Sequence, residues 1–382
     1  MKSTIQSIGI AGAGLLGRLL AWRLAHAGHA VQVFDVAAGP QPVFRSQAPD
    51  EGYVPTAAGF TAAGMLSPMA ELDNAEPAVA ALGWRSIALW RQIVAALPAP
   101  RPLLSVQGSV LLAHRGDAGA GQRVLDRLMH AAQSPQWPRE HGAIEPLSLQ
   151  ALRELEPSIQ GPAQAWLLPG EGHIDTVATM LALQAAAPGV RWHWGAPVAG
   201  VQADEGTGVL HLADGRALKF DAVIDVRGVG ARGSASLPEA AMPVRGVRGE
   251  VIGLHCPGHG LTRQLRLLHP RHRVYVVPRS ADLLMVGASE IESEDRSPVS
   301  LRSAVELMAA AHSVLPALAE ARIVRLDVNL RPALPDNNPR IEHAGRRLAI
   351  NGLFRHGWLL APALVEQALA QAGWAAPAEV LA

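Results

Sequence analysis

Glycines at positions 12, 14 and 17 and an aspartate at 35 are the first residues whose types and spacing could do chemistry. The pattern Gly12-x-Gly14-x-x-Gly17 suits a turn that holds a diphosphate. Gly12 permits a tight turn, Gly14 presents no Cβ to an approaching pyrophosphate, and Gly17 lets a following helix pack closely. Leu15 and Leu16 open that helix, where unpaired backbone N–H groups and the positive end of the dipole favour an anion. Asp35 is spaced to accept hydrogen bonds from ribose hydroxyls, and its charge disfavours a 2′-phosphate, so NADP is not expected.

The elements that must position these residues fit that chemistry. A short apolar run, 8–11, leads into the glycines, an amphipathic segment, 15–27, follows, and a second apolar run, 30–34, stops at Asp35. Strand, glycine turn, helix, strand and acid in that order make a dinucleotide-binding βαβ unit. Downstream, residues 56–68 are dense in small side chains, with Thr61, Ala62, Ala63, Gly64, Met65 and Leu66 in sequence. Such a stretch either lets backbone approach something flat or phosphorylated, with Thr61 capping a helix or binding a phosphate oxygen, or packs as a small-residue helix on a neighbour. The residues alone leave both open.

Length and composition narrow the class. At 382 residues the chain is longer than one typical domain, so two are expected. Lys plus Arg and Asp plus Glu number 33 each, and with no basic run a nucleic-acid partner is not expected. The single cysteine, Cys256, allows no internal disulfide and fits a buried thiol in a reducing compartment. The N-terminus reads as a strand broken by glycines rather than an export signal, and no apolar run approaches the roughly 18 residues that cross a bilayer. A soluble, cytoplasmic protein is the expectation. His269 and His272 have no third ligand at metal spacing, so no metal is expected.

Periodicity predicts helices over 78–97, 122–132, 149–155 (Ser148 as N-cap), 176–187 (Asp175 or Thr176 as cap), 300–314 and 361–370. In 300–314, Leu301, Val305, Leu307 and Met308 supply the apolar positions and Ser303 and Ala304 face out. Residues 105–113 read as paired or bulged strands, and 166–175 as a loop. Strands follow over 190–194 and 198–202, then a hairpin turning at Asp214-Gly215. The apolar strand 221–226 runs into Gly228 and Gly230 and could lie against a cofactor. From 243 onward short strands at 250–254, 265–268, 274–278 and 283–287 suggest a mainly antiparallel sheet. The fold class is α/β: a Rossmann-like domain interleaved with an α+β domain built on an antiparallel sheet.

With these pieces in place, the chain resembles the D-amino acid oxidase superfamily of flavoproteins, and within it the glycine oxidases, over nearly its whole length. Two matching blocks are the glycine fingerprint with Asp35, and residues 61–68. Others are Gly172-His173-Ile174-Asp175, Arg248-Gly249-Glu250, Tyr275-Val276-Val277-Pro278-Arg279 and Leu330-Arg331-Pro332 with Pro335-Asp336. The most specific is Gly352-Leu353-Phe354-Arg355-His356-Gly357-Trp358-Leu359-Leu360-Ala361-Pro362. The resemblance implies FAD, non-covalent because the C-terminal segment has no cysteine. Its ADP would lie on the first βαβ unit and its isoalloxazine against the backbone of 62–66. Val198 would lie near the adenine, and residues 352–359 would hold the flavin's other end. It further implies that Arg331 grips a substrate carboxylate, that Tyr275 sits over the site and that Arg355 is a second cation near the flavin. A bidentate guanidinium–carboxylate pair would fix the substrate α-carbon against the flavin, mostly a positioning effect. As bare residues, the arginine could equally form a structural ion pair and Tyr275 be a half-buried strand aromatic.

The implied domains are 1–83, 155–242 and 326–382 for FAD, and 84–154 with 243–325 for substrate. Three departures from the family pattern stand out: Arg227 after the strand 221–226, the repeated Arg-Gly at 245–249, and His356 in place of a neutral amide. The implied activity is oxidation of glycine or another small amino acid to its imine, with O2 reoxidising the flavin. The alternatives are a D-amino acid dehydrogenase passing electrons to a quinone or carrier, and a flavoprotein acting on a partner protein. Self-association is left open.

Overall fold

The computed structural model describes residues 6–47, 53–73, 76–133, 143–232, 242–268 and 273–374. Near-continuous apolar runs make strands that are covered on both faces. Ser7–Ala11, Ala30–Phe34 and Ala222–Asp225 are such runs, and they pair in parallel at the centre of a six-stranded sheet. Its order is Arg340–Ala344, Arg347–Asn351, Ala222–Asp225, Ser7–Ala11, Ala30–Phe34 and Arg191–His193, with the first of these antiparallel. One face shares an apolar core with the helices Leu15–His26, Pro77–Ala95, Thr176–Ala185 and Gly357–Gln371. The other is covered by the small antiparallel sheet Val198–Ala203, Gly208–Leu212 and Ala217–Phe220, whose Leu210 and Phe220 meet Phe34 and Val223.

An eight-stranded sheet lies alongside, in the order Arg322–Ala333, Arg245–His255, Leu283–Gly287, Arg273–Pro278, Gln264–Leu268, Ser109–Ala113, Gln164–Leu168 and Glu145–Leu147. It is antiparallel as expected, except where Gln264–Leu268 runs parallel to Ser109–Ala113. The helix Leu301–His312 packs on one face with the second apolar core. On the other, Val251, Val277 and Met285 meet Ala63, so residues 61–66 lie where the sheets come together. Gln164–Leu168 joins this sheet from outside the ranges 84–154 and 243–325, and Arg322–Ala333 runs across the bound at 325.

Three local expectations are corrected. Residues 166–175 are not a loop: Gln164–Leu168 pairs with Ser109–Ala113, and Gly172–Ile174 bridges Met65–Leu66 and Leu104–Ser105. A Cβ at Gly172 would collide with the Ser105 carbonyl, so the pairing requires a glycine there. In Leu301–His312 the facing differs in part: Leu307 is buried, but Leu301 is 81% and Val305 52% exposed while Ser303 is 7% exposed. Ser303 is drawn inward because its N–H caps onto the Ser300 hydroxyl above the buried Glu250. The last helix starts at Gly357 rather than 361 and contains Pro362. Proline there leaves the Trp358 carbonyl without its helical donor, and the indole N–H of Trp90 donates to it at 2.8 Å.

Candidate active site

A single cavity of about 2090 Å³ runs from the opening glycine turn to the seam between the two large sheets. Gly12, Gly14, Leu15, Leu16, Asp35, Thr61, Ala62, Ala63, Gly64, Met65, Val198 and Gly228 line it. So do Tyr275, Arg331, Phe354, Arg355, His356, Gly357, Trp358 and Leu359. Three expected residues stand back from it. Gly17 has no room for a Cβ beneath the Gly12 carbonyl and serves helix packing. Leu66 is fully buried core. Gly352, at φ +79°, lies against the Leu334 side chain.

At the first end the backbone does the work. Gly12 takes φ +105°, and its N–H donates to the Phe34 carbonyl at 2.8 Å. The Asp35 carboxylate accepts from Ala13 N–H at 2.6 Å and Ala37 N–H at 2.8 Å. It therefore locks the turn, and a carboxylate keeps further lone pairs for a hydroxyl. The helix Leu15–His26 begins at Gly14 with no side-chain cap, leaving its first N–H groups open to the cavity. Behind the turn, the buried Arg18 donates to the carbonyls of Ala13, Met180 and Pro40 at 2.8–3.0 Å. Burial pulls its pKa down to about 10. The departure at Arg227 is accounted for. Its guanidinium forms a bidentate pair with Asp225 (2.9 and 2.7 Å) and donates to the Val198 carbonyl, tying two strand ends together.

The middle wall is the small-residue stretch. It contains one short helix, Ala58–Thr61, and then turns through Gly64 at φ +77°, where a Cβ would strike the Ile174 carbonyl. Thr61 ends that helix instead of capping its start, and its hydroxyl accepts from Asn329 Nδ2 at 2.9 Å. Arg279, buried behind the wall, donates to the carbonyls of Ile174 (2.8 Å) and Ala63 (3.0 Å), and burial lowers its pKa to about 10. Opposite, the helix Gly357–Gln371 also starts without a side-chain cap. Its Trp358 indole donates to the Gly59 carbonyl at 2.9 Å. The cavity thus has two uncapped helix N-termini and a long glycine-lined wall. That set suits a large, flat, electron-accepting group carrying a diphosphate and a ribose.

The second end is built of side chains. Tyr275 stands between Arg266 on one neighbouring strand and Gly287 on the other, and its ring fills the space a Cβ at Gly287 would take. Burial raises its pKa above the usual tyrosine value, against the pull of Arg331 and Arg355. The Arg331 guanidinium lies over Gly249 and donates to the carbonyls of Arg248 (3.2 Å) and Ser289 (2.9 Å). No carboxylate of the described residues forms an ion pair with it, and burial lowers its pKa. Arg355 is different: it reaches Glu290 and Glu71, each at 3.3 Å. His356 Nδ1 lies 3.5 Å from Glu71, and its pKa is lowered chiefly by burial. Of the duplicated Arg-Gly, Arg248 is buried in a pair with Glu250 at 2.7 Å, and Arg245 reaches Glu292 at 3.1 Å.

Glu71, Arg266, Glu290 and Asn329 were missed at the sequence level. Only Arg266 left a signal, a lone charge inside the apolar strand 265–268. No group of three or more metal-ligating side chains occurs among the described residues, and His269 and His272 lie outside them. No helix among the described residues is long and apolar enough to cross a membrane.

Comparison with known proteins agrees with this geometry. The chain is 34% identical to a Rhizobium etli protein described as a candidate thiamine biosynthesis oxidoreductase, over 92% of each. It is 25% identical to the glycine oxidase of Geobacillus kaustophilus, over 93% of this chain and 89% of that one. Among solved structures, a Geobacillus kaustophilus glycine oxidase superposes with a TM-score of 0.77 at 23% identity, over 98% and 99% of the two chains. The iminodiacetate oxidase of Chelativorans sp. BNC1 gives 0.76 at 22%, over 96% and 95%. The family profile for FAD dependent oxidoreductases matches residues 7–371, and the chain belongs to that family, with FAD as its cofactor.

Proposed function

We propose that this flavoenzyme oxidises the C–N bond of glycine or another small amino acid, N-alkyl amino acids included, to an imine that hydrolyses to the oxo acid. O2 is the proposed electron acceptor. The observation that carries this reading is Arg331, a part-buried guanidinium in the cavity wall that is held by two carbonyls and has no carboxylate of the described residues within ion-pair distance, Glu290 acting on it only from further off. A buried cation without a counter-ion is costly, and a substrate carboxylate supplies one with bidentate geometry. The names of the relatives, which oxidise small amines, support the same reading.

The chemistry FAD supplies when bound is acceptance of a hydride from the carbon that bears the amine. The glycine turn, Asp35 and the first turn of Leu15–His26 would hold its diphosphate and ribose. The wall 62–65 and the start of Gly357–Gln371 would hold its ring. The remaining work falls to side chains. The carbonyls of Arg248 and Ser289 aim Arg331, and Arg331 sets the position of the α-carbon. Tyr275 stays protonated and can donate a hydrogen bond to the bound substrate. A nearby guanidinium disfavours an ammonium, so the substrate amine is held neutral, the form whose lone pair assists loss of the C–H. Anaerobic addition of glycine, sarcosine and D-alanine to the yellow protein is the test. Bleaching of the flavin band by at least one is the expected result, and a spectrum unchanged by all three would sink the proposal. Stoichiometric peroxide in air would establish O2 as acceptor.

A further inference from the structure

Among the described residues, the guanidiniums of Arg266, Arg331 and Arg355 face the second end of the cavity, and they are not equivalent. Arg331 has no carboxylate partner among the described residues, whereas Arg355 and Arg266 both face Glu71, at 3.3 and 3.7 Å. Arg266 is 7% exposed and makes no hydrogen bond to the described residues; Glu71 is 15% exposed. Further out, Arg127 on the helix Ala118–Ala131 is exposed and paired with Asp73.

We propose that Glu71 is a specificity-determining residue that admits monocarboxylate amines and turns away substrates with a second carboxylate. This rests on Arg331 taking the first carboxylate. Of the described guanidiniums at this end, Arg266 and Arg355 are left to receive a second one, and both face the same Glu71. Docking it there would bring two negative charges into one poorly hydrated wall, where repulsion is little screened. With the Glu71 charge removed, Arg266 loses the one carboxylate of the described residues within ion-pair distance and keeps only the pull of Glu171 from beyond that distance, which frees its guanidinium for a second carboxylate. The wall would then offer two carboxylate sites instead of one. Glu290 holds the other side of Arg355 but is half exposed, so its charge counts for less.

The test uses flavin-loaded protein and two ligands that cannot be oxidised as amines. Methoxyacetate mimics an N-methyl amino acid, and diglycolate mimics a diacid amine; each is titrated by its perturbation of the flavin spectrum. In the native protein methoxyacetate should bind roughly tenfold tighter than diglycolate. In Glu71→Gln the ratio of the two dissociation constants should fall by about fivefold or more. A smaller change, with flavin content retained, overturns the proposal. Should that variant not accumulate, Glu290→Gln should lower the ratio by about twofold, and no change there overturns it equally. If the ratio moves while Arg331→Ala leaves methoxyacetate binding intact, the Arg331 assignment falls and takes with it the Glu71 gate, which rests on it. If neither ligand perturbs the native flavin, both fall.

Discussion

The two ends of the cavity are made differently. Around Gly12 and Asp35 the contacts are backbone amides and carbonyls supplied by residues 12–37, with Arg18 bracing the turn from within the same unit. Around Tyr275 and Arg331 the charges are side chains contributed by residues 71, 266, 290, 331 and 355, brought together by the eight-stranded sheet, the helix Pro68–Glu71 and the chain entering the last helix. A backbone site is specified by where side chains are absent. A side-chain site is specified by which partner each charge finds, and distant substitutions can rewrite it one residue at a time. The first end should therefore be intolerant of change and the second adjustable.

Gly17→Ala tests the intolerant end and should have the largest effect. The added methyl would collide with the Gly12 carbonyl oxygen. Overpacking of that kind costs about 3 kcal/mol, and the variant should purify without flavin. Recovery of a yellow protein with an unchanged urea midpoint would show that the turn is softer than its contacts imply. Arg331→Ala tests the other end. Flavin content should survive while kcat/KM for the best amine falls about 1000-fold, the scale of losing one side of a buried charge pair. A drop in flavin content of the same size would mean that the two ends are not separable.

The same contrast explains what could be read from the residues in order. The βαβ unit is local, so its spacing alone pointed to Gly12, Gly14, Asp35 and the two strands that flank them. The ion-pair partners of the second end are separated by up to 284 positions, as with Glu71 and Arg355, and no periodicity links them. Arg331 and Arg355 were therefore indistinguishable as bare residues, although among the described residues Arg355 has two carboxylates within ion-pair distance and Arg331 has none. The strand 164–168 escaped for a related reason. Its partner, Ser109–Ala113, lies more than fifty residues upstream, and its Leu-Leu-Pro-Gly exit looks like loop chemistry. Ser303 was misplaced because helical periodicity weighs apolarity and is blind to a buried carboxylate that needs donors.

Tyr275→Phe sharpens the comparison with a smaller effect. Loss of one neutral donor should lower kcat/KM about tenfold. Because burial pushes this hydroxyl above the usual tyrosine value, it stays protonated across the working range. The variant's pH profile should then run parallel to the native one. An alkaline limb present in the native enzyme and missing in the variant would show that Tyr275 ionises and acts as more than a donor.

The smallest effect concerns what stands beneath the adjustable end. Glu171 is fully buried and accepts hydrogen bonds from Met69 N–H (2.7 Å), Ala70 N–H (3.1 Å) and the Ser109 hydroxyl, so it props the segment that carries Glu71. Burial raises its pKa to about 7, in opposition to those donors and to Arg266. A carboxyl whose folded pKa exceeds its unfolded value binds its proton more tightly when folded. Stability should then fall as pH climbs from the ordinary carboxylate range to about 7, by about 3 kcal/mol at most. Glu171→Gln keeps the shape, lets one amide oxygen accept from both N–H groups and cannot ionise. Its urea midpoint should change less than the native one between pH 5 and pH 8, and kcat/KM should follow the native value at pH 5. Identical pH trends in the two proteins would mean that Glu171 is ionised throughout, held by Arg266, and that the floor of the second end is as charged as its walls.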